Sequence, residues 1–308
     1  MQKAHRDTQP ACSWLSLYWG SLFVSKFFPT HSLLVTAAHP IRLPERMITM
    51  PDQPYLVVDG VSKRFGEGAA SVAALDQVSF TLDKGQFLSI LGPSGCGKTT
   101  LFNIIAGLTK PDTGSVKLNG ESLLMNPGLT GYMLQRDLLL PWRTIADNIA
   151  LPRTLHGVSR RKALKDASAD IRACGLGSML HRRPDELSGG QRQRAALVRT
   201  FQSGKELLLM DEPFGALDPI TRLHLQELLM RLCLEKGLTV LFVTHDVDEA
   251  LLLSDEILVM GSTPGRILAH HTLPQEKPRT LRTLALPALV TLKADILTLL
   301  DEEGKRHE

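Results

Sequence analysis

The stretch from Gly92 to Thr100 combines glycines, one lysine and two threonines in the spacing G-x-x-x-x-G-K-[ST]. Glycines let successive backbone N–H groups turn inward around phosphate oxygens. Lys98 adds a positive charge for the β and γ phosphates, and the Thr99 hydroxyl is a suitable Mg²⁺ ligand. The sequence therefore predicts a site for a nucleoside triphosphate with Mg²⁺. Its predicted phosphate-binding residues are Gly92, Pro93, Ser94, Gly95, Cys96, Gly97, Lys98, Thr99 and Thr100.

Two carboxylates follow an apolar run later in the chain. Leu207 to Met210 is continuously apolar, as in a strand buried on both faces of a parallel sheet, and Asp211 and Glu212 come directly after it. An aspartate at this position holds the Mg²⁺ shell in phosphate-loop hydrolases. The next carboxylate would point towards the γ-phosphate and position the attacking water. Asp211 is therefore a predicted metal ligand, and Glu212 a predicted catalytic residue.

A second anion-binding pattern, Ser188-Gly189-Gly190-Gln191, stands upstream of these carboxylates. Ser-Gly-Gly before a helix offers bare N–H groups at the positive end of the helix. A chain that already has one phosphate loop has little use for a second anion site in the same place. Two chains that face each other head to tail do have a use for it, because each would cap the nucleotide of the other. A second copy of the chain is therefore a predicted partner.

The motifs and their order resemble those of the ABC ATPases, whose signature sequence is similar to Leu187-Ser-Gly-Gly-Gln191. The resemblance covers about residues 55–268. It implies ATP as the nucleotide, catalytic roles for Lys98 and Glu212, and Thr99 and Asp211 as metal ligands. It also adds four residues: Phe65 as the ring that stacks on adenine, Gln135 as a catalytic residue and metal ligand that senses the water, Asp218 in the interface loop Ala216-Leu217-Asp218, and His245 as the catalytic switch that touches the γ-phosphate. The alternative for Phe65, at a strand end, is that it belongs to the core.

Alternating strands and helices are expected to position these residues. Phe87–Leu91 is a predicted strand, the helix after the phosphate loop runs from Thr99 to about Ala106, and Thr239–Val243 is a second buried strand before His245. These patterns indicate an α/β fold of the phosphate-loop hydrolase type, with an antiparallel β subdomain and a helical subdomain. The antiparallel strands expected early in the chain are Tyr55–Asp59, Val61–Phe65, Val78–Leu82 and Ser115–Leu118.

Three segments are expected along the chain: an N-terminal extension over 1–50, an ATPase domain over 55–275 with its helical subdomain at about 140–190, and a helical tail over 276–308. Pro152 and Pro184 bracket the helical insert. The apolar stretch from Ala11 to Val24 is too short to span a membrane. Three interpretations of the extension stand: a segment without fixed structure, a start codon assigned too early with the real start at Met47 or Met50, or a membrane-surface tail.

The tail carries one apolar stripe at helical spacing, which is expected to dock on its own domain. A regulatory or dimerising role is the alternative. The stripe consists of Leu289, Leu292, Ile296, Leu299 and Leu300.

Composition narrows the classes of function. The chain has 308 residues, of which 22% are charged, and its net charge of +3 gives no support for a nucleic-acid partner. Its four cysteines form no C-x-x-C pair, so they predict neither a zinc site nor a disulfide framework, and a reducing compartment is expected. Cys96 inside the phosphate loop is either a small filler residue or a redox sensor. The other cysteines are Cys12, Cys174 and Cys233.

The segment from Asp137 to Thr144 resembles the nitrate/sulfonate/taurine branch of importer ATPases, as does Ser262–Ile267. This resemblance implies a separate transmembrane permease, an external solute-binding protein and a place on the cytoplasmic face of the inner membrane. Leu139, Leu140, Pro141 and Trp142 are predicted to form an exposed apolar patch that docks the permease. The alternative is that Trp142 packs inside the helical subdomain.

Two other functions are alternatives to the importer. One is a soluble ABC-type ATPase that acts on nucleic acid or ribosomes, which the modest net charge disfavours. The other is a regulatory module without turnover, which the presence of Glu212 and His245 disfavours.

Overall fold

The computed structural model describes residues 53–68, 71–215, 217–262 and 264–305. The predictions for residues 1–50 and for Ala216 lie outside the described residues. Within this part of the chain, no helix combines the length and the apolar character needed to cross a bilayer.

The described residues form these strands and helices in chain order: β1 (Leu56–Phe65), β2 (Val72–Leu82), β3 (Phe87–Leu91), α1 (Lys98–Ile105), β4 (Thr113–Leu118), β5 (Glu121–Ser122), β6 (Gly131–Met133), α2 (Ile145–Leu155), α3 (Arg160–Asp166), α4 (Ser168–Ala173), α5 (Gly189–Phe201), β7 (Leu207–Asp211), α6 (Pro219–Lys236), β8 (Thr239–Thr244), α7 (Val247–Leu253), β9 (Glu256–Met260), β10 (Ile267–Thr272) and α8 (Pro287–Lys305).

A central sheet brings the candidate site residues to one edge. Its described strands follow the order β10-β9-β3-β8-β7-β6, and β10 pairs antiparallel while the others pair parallel. The strands β3, β7 and β8 are buried along their whole length, as their continuous apolar sequences require. Leu91 pairs with Thr244, and Asp211 pairs with Val243, so three strands end side by side. The predicted α/β fold is confirmed.

The second sheet is antiparallel, in the order β2-β1-β4-β5 among the described strands. The prediction of two separate strands before Phe65 is wrong, because β1 runs through Gly60 without ending. The pairing register slips between Val58 and Val61, where Gly60 has φ 57°. Such an irregularity interrupts the side-chain alternation and imitates a strand end in the sequence. β2 also begins earlier than predicted, at Val72. Its first half lacks a regular alternation of buried and exposed residues, so the sequence pattern did not reveal it.

Three short helices, α2 to α4, lie between β6 and α5, where the charged helical insert was expected. Side-chain caps start the first two of them: Thr144 accepts a hydrogen bond from the amide of Asp147, and Ser159 accepts one from the amide of Lys162. Their buried faces share one hydrophobic cluster with α5 and α6. Pro152 lies inside α2 and does not bracket the insert; α2 ends soon after it, at Leu155.

The C-terminal helix α8 docks on its own domain, as predicted. Leu289 and Ile296 are fully buried, and they pack in one cluster with α7 and β9. Leu292, Leu299 and Leu300 flank this cluster. The Lys293 ammonium lies 2.7 Å from each carboxylate oxygen of Asp248 on α7, which fixes the helix at a second point.

Candidate nucleotide site

The phosphate loop connects β3 to α1, and its backbone demands glycine at Gly97. This residue caps the N-terminus of α1 in a left-handed conformation, with φ 95°. A Cβ atom there would lie 2.5 Å from the carbonyl oxygen of Ala74 and 2.8 Å from a methyl carbon of Leu75. Both the conformation and the close approach exclude a side chain. The N-terminus of α1 therefore opens directly towards the loop, where it favours an anion.

Lys98 is buried, and its ammonium lies within the curve of this loop. The Nζ atom donates hydrogen bonds to the carbonyl oxygens of Gly92 at 2.7 Å and Pro93 at 2.8 Å. The third donor of the ammonium points to Cys96 Sγ at 3.8 Å, and no carboxylate balances its charge among these partners. A positive charge held this way, beside a helix N-terminus, suits a phosphate group.

The pair Thr99 and Asp211 lies next to Lys98. The Thr99 hydroxyl donates to Asp211 Oδ2 at 3.1 Å. Burial raises the pKa of the Asp211 carboxyl, and the hydrogen bond from Thr99 opposes that shift. Desolvation makes the Asp211 anion costly, so a nearby cation would stabilise it. A hydroxyl and a carboxylate are hard oxygen donors and fit Mg²⁺, which binds through one or two carboxylates together with phosphates and waters.

Glu212 is the meeting point of two other predicted residues. Its Oε2 atom accepts a hydrogen bond from Gln135 Nε2 at 3.2 Å and lies 3.1 Å from His245 Nδ1. Gln135 follows β6, and His245 follows β8, so the ends of three strands supply this cluster. Among the three predicted metal ligands, Thr99 therefore contacts Asp211, whereas Gln135 contacts Glu212.

The backbone at Glu212 is in a left-handed conformation, with φ 43°. For a residue with a side chain this costs on the order of 1–3 kcal/mol, and such positions occur at functional sites. The Glu212 amide donates to the carbonyl oxygen of Val243 at 2.9 Å, which continues the pairing of β7 with β8 and holds the turn in place. In a regular strand, the side chains of Asp211 and Glu212 would point to opposite faces of the sheet. The turn takes Glu212 out of this alternation, so both carboxylates contact other residues of the candidate site.

Ser188 begins α5 on an exposed surface. Its hydroxyl accepts from the amide of Gln191 at 3.4 Å, and Gln191 Oε1 accepts from the Ser188 amide at 2.9 Å. A Cβ atom on Gly190 would lie 2.7 Å from Thr221 at the start of α6, so the starts of both helices touch. Asp218 caps α6 there, and hydrogen bonds from Thr221 lower the pKa of its carboxyl.

These residues form a surface of their own. In the described part of the chain, no hydrogen bond or ion pair links Ser188, Gly189, Gly190, Gln191 or Asp218 to the phosphate loop. The structure therefore gathers the predicted nucleotide residues into two groups within one chain. Lys98, Thr99, Asp211, Glu212, Gln135 and His245 form the first group, and Ser188 to Gln191 with Asp218 form the second.

Phe65 lies at the end of β1 with 48% of its surface exposed, so it does not belong to the core. The Lys63 ammonium is 5.5 Å from the ring centroid. An exposed ring of this kind can take a base as a stacking partner.

The sequence motifs did not predict the contacts that join the segment after Gln135 to α5. Arg192 Nε donates to Asp137 Oδ2 at 3.0 Å, and Arg199 Nη1 donates to the carbonyl oxygen of Leu138 at 2.7 Å. Gln193 Nε2 donates to the carbonyl oxygen of Pro213, directly after Glu212. The polar residues that follow Ser188 were the sequence signal for these contacts. In the structure, α5 presents them to the segment after Gln135 and to the segment after Glu212. Movement of α5 would therefore reach the segments that directly follow Gln135 and Glu212.

We predict that Cys96 is unreactive in the folded protein. Its thiol is buried, and burial raises its pKa, with Lys98 acting in the opposite direction. Burial shields the thiol and raises its pKa, so little accessible thiolate, the reactive form, is present at neutral pH. Iodoacetamide at pH 7.5, followed by mass spectrometry of the Cys96 peptide, should show labelling only after unfolding. Rapid labelling of the native protein would favour the redox-sensor interpretation over the filler role.

Comparison with known proteins places the chain among nucleotide-binding transport proteins. The profile of the ABC transporter family matches residues 75–215. An aliphatic sulfonates import ATP-binding protein of Bacillus cereus is 40% identical over 225 residues, which cover 72% of this chain and 88% of that protein. A taurine import ATP-binding protein of Shigella boydii is 43% identical over 195 residues, covering 63% of this chain and 76% of that protein.

Solved structures agree with this similarity. A dimeric ATP-binding cassette in a post-hydrolysis state, bound to ADP and Pi, superposes with a TM-score of 0.65 at 29% sequence identity. The match covers 72% of this chain and 100% of that structure.

Proposed function

Because the chain belongs to the ABC transporter family, as an ATP-hydrolysing protein of its import branch, we propose that it energises uptake of a small anionic solute through a separate permease. The class of solute follows the sulfonate and taurine importers named above. The observation that carries the proposed ATP hydrolysis is the convergence of Gln135 and His245 on Glu212, next to Lys98 and the Thr99–Asp211 pair. These relatives favour an importer over an ATPase that acts on nucleic acid.

ATP is bound through its phosphates by the loop from Gly92 to Thr100. Lys98 exchanges its carbonyl partners for phosphate oxygens, and the loop amides with the start of α1 receive the remaining charge. Thr99 and Asp211, with Gln135 as the third predicted ligand, would hold Mg²⁺, which would neutralise negative charge on the phosphates. Phe65 stacks on the adenine base.

Glu212 acts on the water that attacks the γ-phosphate. Its carboxylate accepts a hydrogen bond from that water and orients it, while Gln135 fixes the carboxylate from one side. His245, which contacts the same carboxylate oxygen and is largely exposed, donates to the γ-phosphate once the nucleotide is in place. The left-handed turn at Glu212 aims the carboxylate, so its strain serves positioning.

A second copy of the chain completes the site. Ser188 and Gly189 are exposed at the start of α5 and touch no residue of their own phosphate loop among the described contacts. In a head-to-tail pair, the amides at this helix start would cap the nucleotide of the partner, and Asp218 would lie at the interface. The dimeric cassette structure is consistent with this arrangement.

The permease docks beside Gln135, on a patch that differs from the sequence prediction. Leu139 is only 7% exposed and belongs to the core, whereas Leu138 is 52% and Trp142 is 69% exposed. The exposure of Trp142 contradicts the alternative that it packs inside the helical subdomain. Arg199 ties the Leu138 carbonyl to α5, so docking here would sense the position of the Ser188 helix. The chain would then lie peripherally on the cytoplasmic face of the membrane. A solute-binding protein would act on it only indirectly, through the permease.

We predict that Trp142→Ala and Leu138→Ala uncouple the chain from its permease and leave its basal ATPase rate within about twofold. An exposed aromatic anchor is worth about 2 kcal/mol or more in an interface, so loss of Trp142 should reduce permease affinity at least about tenfold. The measurement is ATPase stimulation and co-purification with the permease in detergent. Leu281→Ala is the matched control, because Leu281 is 58% exposed on the C-terminal segment. Equal permease binding by Leu138→Ala, Trp142→Ala and Leu281→Ala would contradict the proposed patch.

A further inference from the structure

The chain that follows β9 passes directly behind the phosphate loop. The Gly265 amide donates to the carbonyl oxygen of Ala74 at 3.0 Å, and the Gly265 carbonyl accepts from the Asp76 amide at 2.9 Å. These bonds make a short parallel bridge between Gly265 and Leu75 on β2. Gly265 is therefore fixed to the second sheet although it lies between two strands of the central sheet.

At this bridge the backbone is in close contact with the phosphate loop. A Cβ atom on Gly265 would overlap the carbonyl oxygen of Cys96 and lie 3.0 Å from Met260 Cε. The φ angle of Gly265 is outside the left-handed region, so close packing alone demands the missing side chain. The Ala74 oxygen that binds Gly265 also fills the space beside Gly97. Gly265 and Ala74 together hold the Cys96–Gly97 peptide immediately before Lys98.

The C-terminal helix reaches the same segment. Arg266 Nη2 donates to Glu303 Oε1 at 3.4 Å, and Glu303 is buried near the end of α8. The Gly261 amide donates to the Arg266 carbonyl at 2.9 Å, and Glu303 Oε2 lies 3.1 Å from the position of a Cβ on Gly261. Glu303 thus contacts both ends of the connection from β9 to β10.

We propose that Glu303, Arg266 and Gly265 are positioning residues for the ATP phosphates. The inference rests on the proposed nucleotide site. The end of α8 fixes Arg266 through Glu303, and the neighbouring Gly265 supports the peptide of Cys96 and Gly97. This support sets the direction of the loop amides and of Lys98. Glu212, Gln135 and His245 lie at the ends of other strands, so the support acts on nucleotide binding and leaves the chemical step unchanged.

The test compares KM with kcat in purified full-length variants. Arg266→Ala removes a half-exposed side chain together with its contact to Glu303, and it should raise the KM for ATP about fivefold at unchanged kcat. Gly265→Ala forces the loop to move and should raise KM about tenfold or more. Arg266→Lys keeps the charge and should recover part of the loss. The dissociation constant of a fluorescent ATP analogue should change in parallel.

Gly304→Ala is the matched control, because Gly304 adjoins Glu303 on α8 and a Cβ there meets nothing within 4 Å. This variant should keep the wild-type KM. Wild-type KM in Arg266→Ala and Gly265→Ala, or a loss of kcat alone, would overturn the inference. An increase of KM in Gly304→Ala equal to that in Arg266→Ala would overturn it too. Absence of ATP binding by the wild-type protein would instead refute the proposed function.

Discussion

Replacing Glu212 by glutamine should lower kcat for ATP hydrolysis by about 10²- to 10⁴-fold, the contribution of a positioned general base. The amide keeps the size of the side chain and can still accept from Gln135 or His245, so the geometry of the cluster survives. It cannot take a proton from the attacking water. The affinity for ATP should stay within about threefold of wild type, since Lys98, Thr99 and Asp211 are unchanged.

The trapped state is the second readout for this variant. If hydrolysis reopens the head-to-tail pair, Glu212→Gln should accumulate as an ATP-bound dimer in size-exclusion chromatography with multi-angle light scattering. Glu227→Gln is the control, because Glu227 is an exposed carboxylate on α6. This variant should hydrolyse ATP at the wild-type rate. Full turnover by Glu212→Gln would refute the catalytic role, and a monomeric variant in saturating ATP would refute the proposed dimer.

The features that the sequence predicted well depend on neighbours along the chain. The bounds of β3 agree with the prediction, and α1 begins one residue early because Gly97 serves as its cap. The strand before Asp211 was recognised from its continuous apolar residues, which only a strand buried on both faces requires. The local sequence was sufficient to predict these elements, because residues close in sequence form both the motif and the strand or helix that positions it.

Features that depend on distant parts of the chain could not be predicted in this way. Leu138, Leu139 and Trp142 are all apolar, and only the packing of Leu139 against the helical core decides which of them face solvent. The Gly265 support behind Cys96 joins segments far apart in sequence, so no spacing rule reveals it. The meeting of Gln135 with His245 at one oxygen of Glu212 was not predicted, because the family resemblance only named these three as site residues. Its geometry required the sheet order and the left-handed turn.

Replacing Lys98 by alanine should abolish tight ATP binding, with a rise in the dissociation constant of about 10²-fold or more. A hydrogen bond to a charged group contributes about 1.5–3 kcal/mol, and the buried ammonium can make more than one with phosphate oxygens. Its removal also leaves the carbonyl oxygens of Gly92 and Pro93 without their donor. Lys98 is also the one charged residue between Gly92 and Thr100, so the variant loop offers the phosphates no positive side chain.

Lys98→Met separates lost charge from lost packing, because methionine fills most of the same buried volume without a donor. Both variants should bind a fluorescent ATP analogue weakly in the same titration, and circular dichroism should show that both remain folded. Lys110→Ala is the control, since Lys110 is exposed just after α1 and should leave the affinity unchanged. Tight binding by Lys98→Met would mean that the loop amides and the start of α1 hold the phosphates without the ammonium. The charge of Lys98 would then serve only to tie Gly92 and Pro93 into the loop.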